Sequence, residues 1–184
     1  MTKHLIIIPG IGDDHPVYHK GVRMFSMFGY APQVHIFGWN SADPSSYDAR
    51  LQQLNSFVDT LEGEIYLIGV SAGGSVAANC LATMPNKVTK VATLCSPLAA
   101  FSSRVNPLLA VSIEETERHL AEMPAETKNR ILSLHALYDP IVATHLSKPL
   151  GVKSVTLPTI LHGATIFLGL TIFSTRINHF FKQR

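Results

Sequence analysis

Six short apolar runs recur along the chain, separated by stretches in which polar and apolar positions are mixed. Most of the runs are continuous rather than alternating, which is typical of strands buried on both faces of a sheet. The predicted strands cover residues 5–8, 34–37, 65–70, 88–94, 131–137 and 152–157. The chain therefore predicts a central sheet that is covered on both sides.

Helical patterns lie between these runs. Residues 18–28 form one predicted helix, which ends at Gly29 because glycine readily adopts the backbone conformation that closes a helix. Asp43 and Pro44 supply an N-cap and a first-turn proline for a second helix. Its apolar positions recur at helical spacing: Tyr47, Leu51, Leu54, Phe57, Val58 and Leu61. Alternating strands and helices predict an α/β fold, a three-layer, doubly wound, mainly parallel sheet in a single domain of residues 1–184.

The longest interval between predicted strands is residues 97–129, which contains a polar helical piece over residues 112–123. Ser112 and Glu115 match a capping box, so this helix is predicted to begin at Ser112. A crossover helix with a longer loop is the favoured interpretation, and a short cap over a functional site is the alternative. The chain leaves no room for a full cap domain.

Composition narrows the class of protein. Of the 184 residues, 46% are hydrophobic and only 15% are charged, which indicates a large buried fraction. The formal net charge of +2 and the scattered lysines and arginines argue against a nucleic-acid partner. Cys80 and Cys95 have no metal-ligand spacing and are predicted to be buried in a reducing compartment. The sequence predicts neither a metal site nor a cofactor.

The first apolar run starts directly after residues 1–4 and is too short for the core and cleavage site of a signal peptide. It is therefore predicted to be the first strand. The sequence also predicts no transmembrane segment, and a cytoplasmic location is the default expectation.

A serine between two glycines follows the third predicted strand, in Gly69-Val70-Ser71-Ala72-Gly73. An alanine-rich helical segment, residues 76–82, comes directly after it. Strand, Gly-x-Ser-x-Gly and helix in this order are the arrangement of a nucleophile elbow. A side chain at either glycine would collide with the adjacent strand or helix, because the turn is so sharp. Ser71 is therefore the candidate nucleophile, and a tight structural turn is the alternative.

The acid that would complete a triad must follow the nucleophile in the chain. Asp139 is the only aspartate after Ser71, and it lies just past the fifth predicted strand. Open parallel sheets place their sites at this carboxyl edge. Asp139 is therefore the candidate acid, although an Asp-Pro turn or a helix N-cap would also explain it.

Three histidines follow Asp139: His145, His162 and His179. His162 lies in the segment 157–163, after the last predicted strand and directly before a helix, in a predicted loop at the carboxyl edge of the sheet. Such a loop can carry an imidazole between the candidate nucleophile and acid, so His162 is the candidate base. A loop histidine packed for structural reasons is the alternative.

An oxyanion hole would take one backbone donor from Ala72, the residue after the nucleophile, and a second from the loop after an early strand. That loop is the segment 9–14, whose small residues let the backbone approach a developing oxyanion. Ile11 is the candidate for the second N–H, with Gly12 next. The loop has no lysine after its glycines and carries two aspartates, which argues against a phosphate site. A Gly-x-Gly turn without a catalytic part is the alternative.

Four motifs together resemble those of the α/β-hydrolase superfamily: Pro9-Gly10-Ile11-Gly12, Gly69-Val70-Ser71-Ala72-Gly73, Asp139-Pro140-Ile141-Val142 and His162-Gly163. The resemblance spans nearly the whole chain. In size the chain is similar to minimal lidless lipases and to small cytosolic serine hydrolases related to the retinoblastoma-binding serine hydrolase. It departs from many members at Pro9, where they have histidine.

The resemblance implies a hydrolase, most similar to carboxylesterases or lipases, that cleaves an ester, thioester or amide of a small-molecule acyl substrate. It implies an acyl-enzyme made by the triad Ser71, Asp139 and His162, without metal or cofactor. A non-catalytic binding protein on the same scaffold, and an acyltransferase or peptidase with the same triad, are the alternatives. A triad does not reveal which substrate is used.

The last predicted helix follows His162 and is apolar on more than one side. One set of residues at helical spacing should face the sheet: Ile166, Leu170, Phe173, Ile177 and Phe180. A second set, Phe167, Leu168 and Ile172, lies around the rest of the helix. Burial on both sides is one expectation. The other is an exposed outer face that receives an acyl chain or the second subunit of a homodimer.

Overall fold

The computed structural model describes residues 1–13, 15–40, 43–99 and 106–183, within which six strands form one parallel sheet. The strands are β1 (Lys3–Ile8), β2 (Ala31–Val34), β3 (Glu64–Val70), β4 (Val88–Leu94), β5 (Ile131–Tyr138) and β6 (Lys153–Ile160). Their order across the sheet is β2-β1-β3-β4-β5-β6, and every neighbouring pair is parallel. The predicted doubly wound sheet is confirmed.

Helices cover both faces of the sheet. They are α1 (Pro16–Met27), α2 (Tyr47–Asp59), α3 (Gly73–Thr83), α4 (Pro107–Glu122), the short α5 (Ala125–Lys128), α6 (His162–Leu170) and α7 (Ser174–Lys182). One face packs against α2, α3 and α4, and the other against α1, α6 and α7. Across the described ranges, no helix combines the length and the apolar character needed to cross a bilayer.

Strand β1, which has a neighbour on each side, shows why its apolar run is continuous in sequence. Ile6 and Ile8 belong to the hydrophobic cluster beneath α2, α3 and α4, whereas Leu5 and Ile7 belong to the cluster beneath α1, α6 and α7. Successive side chains of a strand point to opposite faces, so a strand with helices on both sides needs apolar residues at every position.

The second strand lies three residues earlier than predicted, at Ala31–Val34 instead of residues 34–37. The prediction was wrong because it followed the apolar residues of 34–37, whereas the strand that pairs with β1 contains Pro32. A proline is tolerated here because β2 is the edge strand and pairs only with β1. Beyond the strand, His35 still donates its N–H to the carbonyl of Ile7 at 2.9 Å.

The predicted capping box at Ser112 is wrong, because α4 begins five residues earlier. Asn106 is its N-cap and accepts the N–H of Leu108 at 2.9 Å, with Pro107 in the first turn. Ser112 is a buried residue in the middle of the helix, and its hydroxyl lies 2.7 Å from that of Ser75. The helix packs on α3 as a crossover between β4 and β5, whereas residues 100–105 of the predicted insertion lie outside the described residues.

The C-terminal segment forms two helices where one was predicted. Its break covers residues 171–173, where Phe173 donates its N–H to the carbonyl of Leu168 at 2.8 Å. The inward set is nevertheless placed as expected, with Ile166, Leu170, Ile177 and Phe180 buried and Phe173 half-buried against the same cluster. The predicted loop before His162 is also shorter, because β6 continues through Pro158 to Ile160 at the free edge of the sheet.

Candidate active site

The structure brings Ser71, Asp139 and His162 together at the carboxyl edge of the sheet, after β3, β5 and β6 respectively. The imidazole Nε2 of His162 lies 3.0 Å from the Ser71 hydroxyl oxygen. Its Nδ1 lies 2.7 Å from a carboxylate oxygen of Asp139. These three side chains, separated by up to 91 positions in sequence, therefore form one hydrogen-bonded chain.

Ser71 has the strained backbone expected of an elbow, with φ of +52°. Its own N–H donates to the carbonyl of Leu94 on the neighbouring strand at 2.8 Å, which holds the turn against the sheet. A Cβ on Gly69 would collide with the backbone of Gly73 and Gly74, and one on Gly73 would collide with the carbonyl of Ile8. Both glycines are therefore required by the close approach of three backbone segments.

Asp139 combines both of the roles that its position allows. One carboxylate oxygen accepts the N–H of Ile141 at 2.8 Å and that of Val142 at 3.0 Å, which forms the turn after β5. The other oxygen is the one that faces His162. The turn therefore fixes the orientation of the carboxylate that meets the imidazole, and both side chains are buried.

His162 is the first residue of α6, and Leu161 before it has φ of +75°. The N–H of Leu161 donates to the carbonyl of Tyr138 at 3.1 Å, and the Thr165 hydroxyl donates to the carbonyl of Leu161 at 2.8 Å. Because Tyr138 precedes Asp139 in the chain, this link also ties the backbones of the two facing residues together. The other two candidate histidines are exposed: His145, in a 3-10 turn after Asp139, and His179, in α7.

The loop after β1 lies directly against Ser71. A Cβ added to Gly10 would lie 2.8 Å from that of Ser71. The loop closes as a turn in which Asp13 donates its N–H to the carbonyl of Gly10 at 3.1 Å, with Ile11 and Gly12 as the central residues. Ala72, which would give the other donor, is the N-cap of α3, where backbone N–H groups have no partner within the helix. Asp14 of the predicted loop lies outside the described residues.

Asp13 and Trp39 brace this loop, and the sequence interpretation assigned neither of them a role. The Asp13 carboxylate accepts the N–H of Gly38 at 3.3 Å and that of Trp39 at 3.1 Å. The Trp39 indole donates to the carbonyl of Pro9 at 3.1 Å. Both side chains are buried. The available sequence signal was Asp13 in the glycine-containing loop, and the sequence analysis considered it only as a negative charge that argues against a phosphate site.

Tyr18 contacts the same loop from α1. Its hydroxyl accepts the N–H of Gly10 at 3.4 Å. Burial raises the pKa of the Tyr18 phenol, and the nearby Asp13 carboxylate adds to the rise, while the Gly10 N–H opposes it. The phenol is therefore neutral at neutral pH, and the loop after β1 is held by hydrogen bonds to Tyr18 of α1 and to Trp39.

Cys95 is the other side chain that the sequence interpretation left without a role at this edge. It follows β4 with φ of +50°, and its N–H donates to the carbonyl of Leu134 at 2.8 Å. Its sulfur, a carboxylate oxygen of Asp139 and a ring nitrogen of His162 lie within 4.8 Å of one another. Burial, and then the Asp139 carboxylate, raise the pKa of the thiol to about 12. The sequence signal that could have placed Cys95 near the site was its position directly after β4, at the carboxyl edge of the sheet.

Comparisons with known proteins place the fold but not the family. No protein-family model matches the sequence, and a search of curated proteins found no similar sequence.

Solved structures are similar over nearly the whole chain. An α/β hydrolase from the sediment metagenome of the Mar Chica lagoon has a TM-score of 0.72 and 18% identity, covering 99% of this chain and 91% of its own. The monoacylglycerol lipase of Paleococcus ferrophilus has a TM-score of 0.69 and 15% identity, with coverages of 97% and 93%. A lipolytic enzyme of the metagenome-derived LipS and LipT pair has a TM-score of 0.69 and 12% identity, with coverages of 99% and 94%. With its six parallel strands and flanking helices, the chain has the α/β-hydrolase fold.

Proposed function

We propose that this protein is a serine hydrolase that cleaves a carboxylic ester through an acyl-enzyme. The observation that carries the proposal is the hydrogen-bonded chain from Ser71 through His162 to Asp139, with contacts of 3.0 and 2.7 Å. An imidazole in this position can take the serine proton, and the buried carboxylate can stabilise the imidazolium that results.

Acylation begins when Ser71 Oγ attacks the ester carbonyl carbon while His162 Nε2 takes the hydroxyl proton. Asp139 keeps the other proton of the imidazole on Nδ1, so that Nε2 is free to act as the base. The same Nε2 then gives its proton to the departing alkoxide. Because Asp139 is held by two backbone N–H groups, it reaches His162 without a rearrangement.

The oxyanion would be stabilised by the N–H groups of Ala72 and Ile11. Ala72 lies at the helix N-terminus beside the nucleophile, where the helix dipole also favours negative charge. Ile11 lies in the turn that packs on Ser71 through Gly10. One such donor contributes roughly 3–4 kcal/mol to the transition state, so the position of this loop matters for the rate.

Water completes the cycle by the same path. His162 takes a proton from water as it attacks the acyl carbonyl, and Ser71 leaves with that proton. Thioesters and amides would follow the same steps, and an amide would additionally need strong protonation of its leaving nitrogen. The similar structures include a lipase for monoacylglycerol and hydrolases of pyrethroids, which supports an ester substrate.

Large apolar side chains lie exposed beside the proposed nucleophile and its partners. Ile11 is in the oxyanion loop, Tyr138 precedes Asp139, Ile141 follows it, and Leu161 precedes His162; all four are exposed. Exposed apolar groups around a site favour substrates with apolar parts over strongly charged ones. An ester with an apolar acyl or alcohol group fits these surroundings.

A fluorophosphonate probe tests the proposal directly, because only an activated serine reacts with it. The parent protein should be labelled and should hydrolyse a simple aryl ester. Ser71→Ala should lose both activities, with a rate loss on the order of 10⁶, while its circular dichroism stays parental. Ser56→Ala removes an exposed hydroxyl from α2 and serves as the matched control. Parental turnover by Ser71→Ala would refute the assignment, and a parent that is neither labelled nor active would be a binding protein on this fold.

A further inference from the structure

Cys95 places a third donor atom beside two members of the proposed triad. The sulfur, a carboxylate oxygen of Asp139 and a nitrogen of His162 lie within 4.8 Å of one another, and all three residues are buried. Within the described ranges, no other three side chains of this type are so grouped. Catalysis as proposed uses Asp139 and His162 and leaves the thiol without a task.

Thiolate, carboxylate and imidazole are the three ligand types that Zn²⁺ takes in proteins. With Zn–S near 2.3 Å and Zn–N and Zn–O near 2.0–2.2 Å, tetrahedral ligands of one ion lie about 3.3–3.6 Å apart. Donors already within 4.8 Å of each other need only small side-chain movements to reach that spacing. One thiolate and one carboxylate also balance the charge of the ion, which reduces the cost of burying it.

We propose that Cys95, Asp139 and His162 form an inhibitory binding site for Zn²⁺. The inhibitory effect rests on the proposed function, whereas the binding does not. The ion binds Sγ of Cys95, a carboxylate oxygen of Asp139 and Nδ1 of His162. The thiol loses its proton to solvent, and the imidazole stays neutral by carrying its single proton on Nε2 instead of Nδ1.

This change of tautomer explains why the bound ion would stop catalysis. In the metal-free protein, Nε2 of His162 faces the Ser71 hydroxyl at 3.0 Å and can accept its proton. With Zn²⁺ on Nδ1, the nitrogen facing Ser71 already carries a proton and acts only as a donor. The serine then has no base, even if the imidazole hardly moves. Metal binding and turnover therefore exclude each other.

The chain offers a matched control for the thiol. Cys80 is also buried, but it lies within α3 and has no part in the group of donor atoms around His162. Cys80→Ala therefore tests the general effect of removing a buried thiol. Ser71→Ala keeps all three proposed ligands while it removes the nucleophile, so it separates metal binding from catalysis.

Two measurements test the site. Hydrolysis of an aryl ester is titrated with Zn²⁺ and then treated with EDTA, using the parent, Cys95→Ala, Cys95→Ser and Cys80→Ala. Binding of Co²⁺ as a spectroscopic probe is followed by its thiolate-to-cobalt charge-transfer absorption, using the parent, Cys95→Ala and Ser71→Ala. The second measurement needs no enzymatic activity.

We expect EDTA-reversible inhibition of the parent and of Cys80→Ala at the same Zn²⁺ concentration. Removing the thiol should raise the Zn²⁺ concentration needed for inhibition at least about tenfold, because substitution of residues that only hydrogen-bond to metal ligands already weakens metal binding by that factor. The thiolate–cobalt absorption should be parental in Ser71→Ala and absent in Cys95→Ala. The site is refuted if Zn²⁺ inhibits Cys95→Ala or Cys95→Ser as it does the parent, or if the parent lacks the absorption. A parent that binds Co²⁺ through thiolate but hydrolyses no ester would refute the proposed function alone.

Discussion

Asp13 and Trp39 are hydrogen-bonded to each other, and together they hold the segment 9–13, which carries the proposed oxyanion donor Ile11. The Asp13 carboxylate accepts the backbone N–H of Trp39 at 3.1 Å, and the Trp39 indole donates to the carbonyl of Pro9, also at 3.1 Å. Pro9 and Asp13 flank the turn that carries Ile11. The two side chains therefore fix both ends of the segment whose backbone faces Ser71.

We predict that Asp13→Asn lowers kcat by about tenfold to a hundredfold with little change in KM, since a misplaced oxyanion donor weakens the transition state more than substrate binding. The variant removes a negative charge near the oxyanion, which by itself would favour catalysis. It also turns an amide NH₂ toward one of the two N–H groups that the carboxylate now accepts, and we expect this loss to dominate.

The check is steady-state kinetics of an aryl ester, together with thermal unfolding of both proteins. Asp43→Asn is the control, because Asp43 is an exposed aspartate that caps the turn before α2. A kcat for Asp13→Asn at or above the parental value would show that the contacts of Asp13 with Gly38 and Trp39 do not position the turn that carries Ile11.

The three candidate histidines differ sharply in expected effect. His162→Ala should be as damaging as Ser71→Ala, on the order of 10⁶ in kcat. Asp139→Asn should be severe but milder, on the order of 10⁴, because the acid orients the base without itself attacking. His145→Ala and His179→Ala should keep near-parental turnover, measured on the same ester. Loss of activity in His145→Ala with an active His162→Ala would reverse the assignment of the base.

The elbow glycine Gly73 should not tolerate a methyl group. A Cβ at this position would collide with the carbonyl oxygens of Ile8 and Pro9, which belong to rigid backbone. We expect Gly73→Ala to lower the free energy of unfolding by about 1–3 kcal/mol, measured by urea denaturation. Gly163→Ala is the control, because a Cβ there has no neighbour within 4 Å and alanine favours the helix. Equal stability of the two variants would mean that the elbow can relax.

His135 should make the stability depend on pH. Burial, and then the Lys148 ammonium, lower the pKa of His135 to about 4, and its Nε2 lies 2.8 Å from the Thr156 hydroxyl. The unfolded chain binds this proton near pH 6.5, so between pH 6.5 and 4 the unfolded state holds more protons than the folded one. Stability from this group is therefore complete above pH 6.5 and is lost as pH falls toward 4, by as much as about 3 kcal/mol.

Urea unfolding of the parent and of His135→Gln at several pH values checks this. Glutamine can keep a hydrogen bond to Thr156 but does not titrate, and the other titrating groups are common to both proteins. The stability difference between the two should change in favour of His135→Gln as the pH falls. Parallel curves for the two proteins would show that His135 titrates normally in the folded state.

The outer surface of the C-terminal helices should influence substrate or assembly rather than folding. Phe167 is 39% exposed and Ile172 is 65% exposed, and the Lys20 ammonium lies 4.8 Å from the Phe167 ring centre. We predict that Phe167→Ser and Ile172→Ser change the acyl-chain-length preference or the oligomeric state, with little loss of thermal stability. Ester series and light scattering measure the two outcomes. Ile177→Ser, at a fully buried position, should unfold. Unfolding of the two outer variants, with flat chain-length preference, would return these residues to the core.

Continuous apolar runs and the alternation of strands with helices predicted the sheet well, because burial on both faces leaves a strong signal. Four of the six strands were predicted within two residues of their observed bounds. β2 was predicted three residues too late and β6 was predicted to end three residues too early, and both are edge strands that contain a proline, Pro32 and Pro158. Helix starts were less predictable. Ser112 matches a cap in sequence but bonds Ser75 across two helices, a choice that only the packing of α4 on α3 decides.

The candidate site followed from chain order and the carboxyl-edge rule, which named Ser71, Asp139 and His162. The supporting residues did not follow, because their roles depend on contacts between distant segments. Asp13 reaches the backbone of Trp39, 26 positions away, and Cys95 meets Asp139 only because β4 and β5 are neighbours. Both contacts join segments that are far apart in sequence, so no local sequence motif could have predicted them.

Because His162 begins α6, it is synthesised after Ser71 and Asp139, and this sets the order in which the proposed active site is assembled during translation. The segment that begins there brings the proposed base, and it carries Leu170, Ile177 and Phe180, which close one face of the sheet. A nascent chain that still lacks this segment contains the proposed serine and acid but not the proposed base. It also leaves the hydrophobic face of the sheet that α6 and α7 cover exposed to solvent. Under the proposed function, the nascent chain therefore gains its catalytic base together with the residues that cover this face of the sheet.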